Sequence, residues 1–506
     1  MVLLPDYPTD LKLVIRKVFL LSALLSALPV CINAQLNSEQ FEPSLVPIGF
    51  NLVEAVNDDV IILLPVKSGS WLVQRKSFEN ELIWSCTINT NENENIFSWE
   101  IKEGSIYIYS TSFDRASGKS ELYVTKLDTE SGNNKSKELL WSTRVGKMSG
   151  NRKKAKKVAD AELELSSLRS LDAEVPFPYR FEFKTSQNRQ FRIFSFFNYS
   201  KEQLIHSYKI YDGNLKELDS GNIKLDELIY LFDYAIGQEG EIYHLNQSFD
   251  GDIQVIQFSM HSDDYSLLRL TAENSQRDDL KIHELSKGRV VVAGKAEIEN
   301  SFYGCLYAVF DFNLNEIDRV HFEALPYEYK EATDSLYKLG KFDVRDRSNF
   351  TLTHVKSYND EELLIVFEAF DLRRSGYVYK DLRFDSELDW STHKAKTISG
   401  PALIFSFDRN DELRWSKYIY KKKEMDMKFP GVSTLFPVSP KNEAISFFME
   451  YENKTYEIEM DYIYNTWQKA NMISEHSLLS TLQGMNENAL VVYYSEKESR
   501  LIINKK

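Results

Sequence analysis

"SFDRNDELRWS", residues 406–416, sets a polar turn between two apolar stretches and follows it with a tryptophan. Asp408 and Asn410 belong to the residue types that tolerate left-handed backbone angles and bond their own backbone in turns, so the stretch predicts a hairpin corner. The same grammar recurs in "SFENELIWS" (77–85), "ESGNNKSKELLWS" (130–142), "YDGNLKELDSG" (211–221), "DFNLNEIDRV" (311–320) and "FDSELDWS" (384–391). Hairpins with loops of three to five residues use this chemistry. Trp84, Trp141, Trp390 and Trp415, each placed after such a turn, are expected to plug the space between neighbouring sheets.

Short apolar runs flank these corners along the whole chain: "DVIILLPV" (59–66), "SIYIYS" (105–110), "RIFSFF" (192–197), "RVVVAG" (289–294), "ELLIVFEAF" (362–370) and "ALVVYYS" (489–495). Their length and β-branched, aromatic content predict strands. The strands fall into sets of four, covering 49–89, 98–145, 180–223, 229–271, 281–322, 350–420 and 432–472, with three more strands in 477–503. Repeats of this size built of four strands are the signature of an all-β propeller. Eight four-stranded blades are expected, with seven as the alternative, and the short last set predicts ring closure by a strand near 41–48, which removes exposed edges. A string of β-sandwiches would show similar strands, but no Pro/Gly/Ser-rich linker separates the sets. Helices are confined to loops, at 158–171 and 331–338. The connections 146–178 and 323–349 and the insertion 371–400 exceed simple turns and are where partner contacts are expected.

Lys12, Arg16 and Lys17 precede 11 apolar-run residues, 18–28, and a small-residue region ending at Ala34. This is the pattern of a cleaved leader, so 1–34 is expected to be a signal peptide and 35–506 one propeller domain of a secreted or periplasmic protein. The apolar run is too short to span a bilayer, and no transmembrane span is expected in the mature chain. Cys31 offers a second reading, an outer-membrane lipoprotein, against which stands the bulky Val30 in "LPVC". The chain carries 61 basic and 76 acidic residues, a net charge of −15, and an acidic surface repels nucleic acid. Its one basic patch, 147–157, runs straight into acidic "DAELE" at 160–164. Cys86 and Cys305 sit singly in apolar runs, which argues against a disulfide scaffold or a structural zinc site and predicts small core side chains.

No HExxH, GxSxG, GxxxxGK[ST] or GxGxxG motif occurs, so catalytic residues stay unassigned, no cofactor or metal is expected, and a non-enzymatic role is favoured. Residues 311–322 begin like a calcium loop, yet Glu316 replaces the required glycine and Phe322 the bidentate glutamate. His244, His283 and His354 lie singly on strands and are expected to be structural. The Asp408–Trp415 corner resembles the aspartate box of sialidase-type propellers and the corner of quinoprotein-type and outer-membrane-assembly propeller repeats, without the Gly and Thr those patterns carry. Residues 400–453 resemble the later blades of uncharacterised exported propeller-like proteins of Gram-negative bacteria, which implies fold and export but no activity. The expected function is an exported, monomeric binding platform for a protein or glycan partner. The alternative is a carbohydrate-active hydrolase or lyase with acidic residues at the propeller channel, since paired carboxylates from distant blades leave no short motif.

Overall fold

The computed structural model describes residues 53–505 apart from 145–180, 325–349, 374–395 and short stretches at turns. Among them every regular element is a strand, and the 32 strands build eight antiparallel sheets in chain order. The first sheet is β1 to β4 (Val53–Val56, Asp59–Lys67, Ser70–Ser77, Leu82–Asn89) and the second β5 to β8 (Glu94–Lys102, Ser105–Asp114, Lys119–Asp128, Asn134–Arg144). The third is β9 to β12 (Phe181–Thr185, Arg192–Ser200, Gln203–Tyr211, Glu217–Leu225), and the fourth β13 to β16 (Tyr230–Ile236, Ile242–Gln247, Ile253–Phe258, Tyr265–Leu270). The fifth is β17 to β20 (Gln276–Glu284, Arg289–Ile298, Ser301–Asp311, His321–Ala324). In the sixth, β21 to β24 (Phe350–Tyr358, Glu362–Arg373, Lys396–Phe407, Leu413–Ile419) are joined by β25 (Lys423–Asp426), which pairs with β23. The seventh is β26 to β29 (Leu435–Lys441, Ala444–Tyr451, Lys454–Asp461, Thr466–Ser474), and the eighth holds three strands, β30 to β32 (Ser477–Gln483, Ala489–Ser495, Arg500–Lys505).

The middle strands explain why their sequences read as near-continuous apolar runs rather than clean alternations. A strand covered on both faces has no polar side to show. In β22, Leu363, Ile365 and Phe367 pack with Val291, Tyr307 and Val309 of the fifth sheet. The intervening Leu364 and Val366 join Trp415, Phe447 and Ile458 across the boundary with the seventh. The fifth sheet divides itself the same way, sending Val290, Val292 and Ala308 toward the fourth sheet and Val291, Ala293 and Cys305 toward the sixth. Further cores bind first to second, second to third and third to fourth sheet. The fourth strands β4, β8 and β16 are an exposed rim, as in β4 with Leu82 and Ile83 open to solvent. First strands approach one another: β1 contacts β5, β13 contacts β9 and β17, β17 contacts β21, β26 contacts β30, and β30 contacts β1. Four-stranded meanders packed face to face in chain order, with their first strands converging, are a β-propeller.

Several expectations fall outside the described residues: the leader, the strand near 41–48, both helices and Trp390. The connections 146–178 and 323–349 also lie there, except that β20 runs on to Ala324. The sixth set differs from its expectation of a single insertion at 371–400. Here β22 continues to Arg373 and β23 begins at Lys396, paired to each other through Phe370–Arg373 and Lys396–Ser399, so the ends of that segment extend the hairpin. Cys305 is buried in the core between the fifth and sixth sheets; Cys86 lies half-buried on the rim strand β4, and both are free thiols.

One turn shows how closely neighbouring sheets mesh. Gly132 has φ +69°, and a Cβ placed there would lie 2.5 Å from the ring of Trp84 in the adjacent sheet. Gly132→Ala therefore meets both a left-handed backbone and an occupied space. The substitution is expected to destabilise by about 2 kcal/mol, read as a lower urea midpoint, and an unchanged midpoint would show that Trp84 does not seat against this turn.

Candidate functional site

The corner motif sits where the third strand of a sheet turns into the fourth. Asp408 Oδ1 accepts hydrogen bonds from the amides of Asn410 at 2.8 Å and Glu412 at 3.1 Å, and its own amide donates to the Glu412 carbonyl at 2.9 Å. Asp212 binds the amides of Asn214 and Lys216 at the equivalent place in the third sheet, and Asp128 those of Glu130 and Ser131 in the second. These carboxylates are occupied by their own turns. Trp415, only 3 % exposed, lies against Phe447 and Ile458 of the next sheet. Trp141 packs on Phe181 and Phe196, with ring centroids 5.1 and 6.4 Å apart. Trp84 donates its indole N–H to the Thr129 carbonyl of the second sheet at 2.9 Å. None of these three tryptophans lies on a first strand.

Chemistry that is not consumed by turns gathers on the converging first strands. Six of them, β5, β13, β17, β21, β26 and β30, carry a bulge, one residue more than the second strand they pair with. A bulge bends its strand and re-aims side chains. On three successive sheets pairing resumes after the bulge at Asp233, Lys281 and His354. Asp233 ties three sheets together: it pairs with Lys184 of β9 and accepts from the Ile282 amide of β17 at 3.2 Å. Lys184 also donates to the Tyr234 carbonyl and lies 4.3 Å from the centroid of the Tyr234 ring. Lys281 Nζ donates to the Leu352 carbonyl of β21 at 2.9 Å.

Electrostatics follow from this placement. Burial alone would raise the Asp233 carboxyl; the adjacent Lys184 ammonium outweighs it and holds the group below the ordinary aspartate value. His283 is pushed down to about 4 by burial, aided by the positive charges of Lys281, Lys184 and His354 and opposed by Asp233. It is a neutral imidazole at physiological pH.

A second polar group occupies the end of the first strands, at their turns into the second strands. Arg189, in the β9–β10 turn, reaches Glu54 of β1 at 3.7 Å. The Gln187 amide in the same turn donates to Glu284 of β17 at 2.8 Å, and Asn188 Nδ2 donates to the Gln238 carbonyl of the β13–β14 turn at 3.3 Å. Burial raises Glu54 to about 7, against the pull of Arg189, with Glu100 adding to the rise; burial likewise raises Glu284 to about 7, with Glu241 contributing. Since the folded pKa of Glu54 lies above its unfolded value near 4.5, this carboxyl costs the fold nothing below pH 4.5 and progressively more as pH rises to about 7. Glu54→Gln is therefore expected to be neutral near pH 4 and stabilising by up to about 3 kcal/mol at pH 8. A pH series of urea melts checks this, and a variant less stable than wild type at pH 8 contradicts it.

Of the three histidines singled out in the sequence, His283 and His354 stand on first strands, while His244 is fully buried between the third and fourth sheets. There His206 Nδ1 meets His244 Nε2 at 2.8 Å and His206 Nε2 meets Ser195 Oγ at 2.7 Å. Burial drives His244 down to about 3. This chain of side chains is sealed from solvent, so it serves the packing between sheets. Sequence reasoning missed His206, Lys184, Asp233 and Glu54, which have no motif around them. Among the described residues no cluster of three metal-ligating side chains occurs, and no helix is long and apolar enough to cross a membrane.

No family model matches the chain, and no curated protein matches its sequence. Similar solved structures include β-propeller domains. The Nup133 propeller of Vanderwaltozyma polyspora is 10 % identical with a TM-score of 0.37, covering 81 % of this chain and 100 % of that one. The propeller domain of the trilobed protease from Pyrococcus furiosus is 9 % identical at 0.35, covering 82 % and 97 %. The polysaccharide lyase Uly1 is 8 % identical at 0.39, covering 91 % and 90 %. Likenesses this distant carry no activity to the chain.

Proposed function

We propose that this chain is an exported β-propeller that binds a protein or glycan partner at the end of its channel formed by the turns between first and second strands. The observation that carries the reading is the cross-linking of those turns: Arg189 to Glu54, Gln187 to Glu284 and Asn188 to Gln238 join the first, third, fourth and fifth sheets. A polar surface made of turns, held by bonds between sheets, is pre-organised for contact, and binding loops on rigid scaffolds are a common arrangement. Export rests on the basic and apolar residues of 12–34. A pull-down of glycans and cell-envelope proteins on the immobilised mature chain tests the proposal, repeated with Arg189→Ala and Glu284→Gln. Loss of a captured partner in these variants supports it; a partner held equally by wild type and both variants overturns the placement.

A hydrolase or lyase acting on carbohydrate is the second reading, favoured by one observation: Glu54 and Glu284, at the same end of the channel, both have carboxyls raised to about 7. A carboxylic acid kept protonated near neutrality can act as a general acid. Release of reducing or unsaturated ends from a polysaccharide panel, abolished in Glu54→Gln or Glu284→Gln, would establish that reading over simple binding.

A further inference from the structure

The boundary between the third and fourth sheets carries titratable side chains in its interior. Ser195 of β10, His206 of β11 and His244 of β14 are each 0 % exposed. His206 joins the two sheets, since its Nδ1 lies 2.8 Å from His244 Nε2 while its Nε2 lies 2.7 Å from Ser195 Oγ on its own sheet. Phe197 stacks on the His206 ring with centroids 4.4 Å apart, and Phe258 and Tyr234 stand 5.1 and 6.5 Å from the His244 ring. The same two sheets meet again at the Lys184–Asp233 pair on the first strands and at the turn end, where Asn188 Nδ2 donates to the Gln238 carbonyl.

A hydrogen bond between two imidazole nitrogens needs one of them without a proton. A first added proton puts a charge on a sealed pair, and a second sets two N–H groups against each other and breaks the bond. The titratable and charged side chains facing the pair are Tyr208, Tyr234 and Lys184. Lys184 disfavours a further positive charge on His244, and the Asp233 carboxylate is held by Lys184 and the Ile282 amide. His244 Nδ1 is buried with no hydrogen-bond partner among the described residues, so an imidazolium there would strand an N–H. At the outer edge of the boundary His261, with its side chain 60 % exposed, lies 3.6 Å from Asp219, and protonation tightens that contact only weakly. We propose that the His206–His244 bond makes this boundary acid-labile, so that the turn end held by Asn188 and Gln238 loosens and releases its partner as the pH falls. The inference rests on the binding reading above and names the regulation of that site. Histidine is the side chain whose charge changes in this pH range, and its protonation is a known means of opening an interface.

Because burial holds His244 at about 3, below its ordinary 6.5, the contribution of the neutral pair is whole above pH 6.5 and is lost as the pH falls toward 3. At pH 5 that shift weakens the closed boundary about thirtyfold. The Gln187 amide reads the change, because its bond to Glu284 of the fifth sheet holds only while the third sheet is seated. Its hydrogen-exchange protection, corrected for the intrinsic pH dependence of exchange, is expected to fall by about tenfold or more between pH 7.5 and pH 5. The fall is expected to disappear in His206→Gln/His244→Gln, whose side-chain amides hydrogen-bond without titrating. No fall in wild type, or an equal fall in that variant, overturns the proposal. If the double variant does not fold, His244→Gln alone is expected to remove at least half of the fall on a logarithmic scale, and a full fall counts against the pair. Glu284→Gln removes the titration of the acceptor itself: the fall is expected to persist there, and its loss would assign the response to Glu284 and overturn the proposal. The pull-down of glycans and cell-envelope proteins, run at both pH values, separates this inference from the reading it rests on. A partner captured at pH 7.5, released by wild type at pH 5 and retained there by the double variant supports acid release. Equal capture by wild type at both pH values overturns it and leaves the platform reading standing; absence of all capture sinks the platform and the release with it.

Discussion

Trp415→Ala is expected to lower the free energy of unfolding by about 3–5 kcal/mol, the range for removing a large aromatic side chain from a packed interior. The expectation follows from where the ring sits. Trp415 is on the outermost regular strand of its blade path, β24, yet is only 3 % exposed because the seventh sheet covers it with Phe447 and Ile458. Truncation leaves a cavity at a sheet-to-sheet boundary, where both backbones are fixed by their own ladders and cannot collapse inward. Trp84→Ala is expected to cost less, since Trp84 is only half-buried and part of its seating is one hydrogen bond to the Thr129 carbonyl. Urea denaturation followed by far-UV circular dichroism measures both. A loss below about 1 kcal/mol for Trp415→Ala would mean that the sixth and seventh sheets do not pack through this ring.

The second large effect concerns charge rather than volume. Arg192 of β10 is 1 % exposed and forks onto the carboxylate of Glu100 in β5, with one nitrogen at 2.8 Å from Glu100 Oε2. Glu100 also accepts from Tyr109 at 2.6 Å, and Arg192 donates to the Asp212 carbonyl at 3.3 Å. The pair bridges the second and third sheets. Burying two charges is costly, and their mutual attraction offsets that cost only while both are present. Arg192→Met alone leaves Glu100 buried without its cation and is expected to destabilise by about 3–5 kcal/mol. Adding Glu100→Leu removes the stranded carboxylate and is expected to restore more than half of the loss. A double variant as unstable as Arg192→Met would contradict this account, because it would place the cost in lost packing around the arginine stem.

The fold was legible in the sequence because its units repeat. The predicted sets 49–89, 180–223 and 229–271 correspond to sheets spanning 53–89, 181–225 and 230–270, since apolar strand runs recur at blade spacing and, in several units, a hairpin corner such as 406–416 punctuates them with polar residues that have a local reason to be there. The three-strand last set was also visible, at 477–503. The polar first strands were harder to read. Lys184, Asp233 and His354 each stand alone between ordinary strand residues, "FEFKT", "YLFDYAI" and "FTLTHVKSY". What unites them is adjacency between sheets, with a one-residue bulge before Asp233 and before His354, and neither leaves a local pattern. A bulge changes register without changing composition, so alternation alone assigns Asp233 and His354 to the wrong face. The corner aspartates were the opposite case: conspicuous in sequence, they spend their oxygens on their own turns.

The central claim is that all eight sheets belong to one ring whose first strands meet, with β30 beside β1. Small-angle X-ray scattering of residues 35–506 tests it most directly. A compact single body of this length has a radius of gyration of about 23 Å, and a ring predicts a value near this, a single symmetric peak in the pair-distance distribution and the mass of one chain. An elongated distribution with several maxima, as a string of separate β-sandwiches gives, would contradict the account.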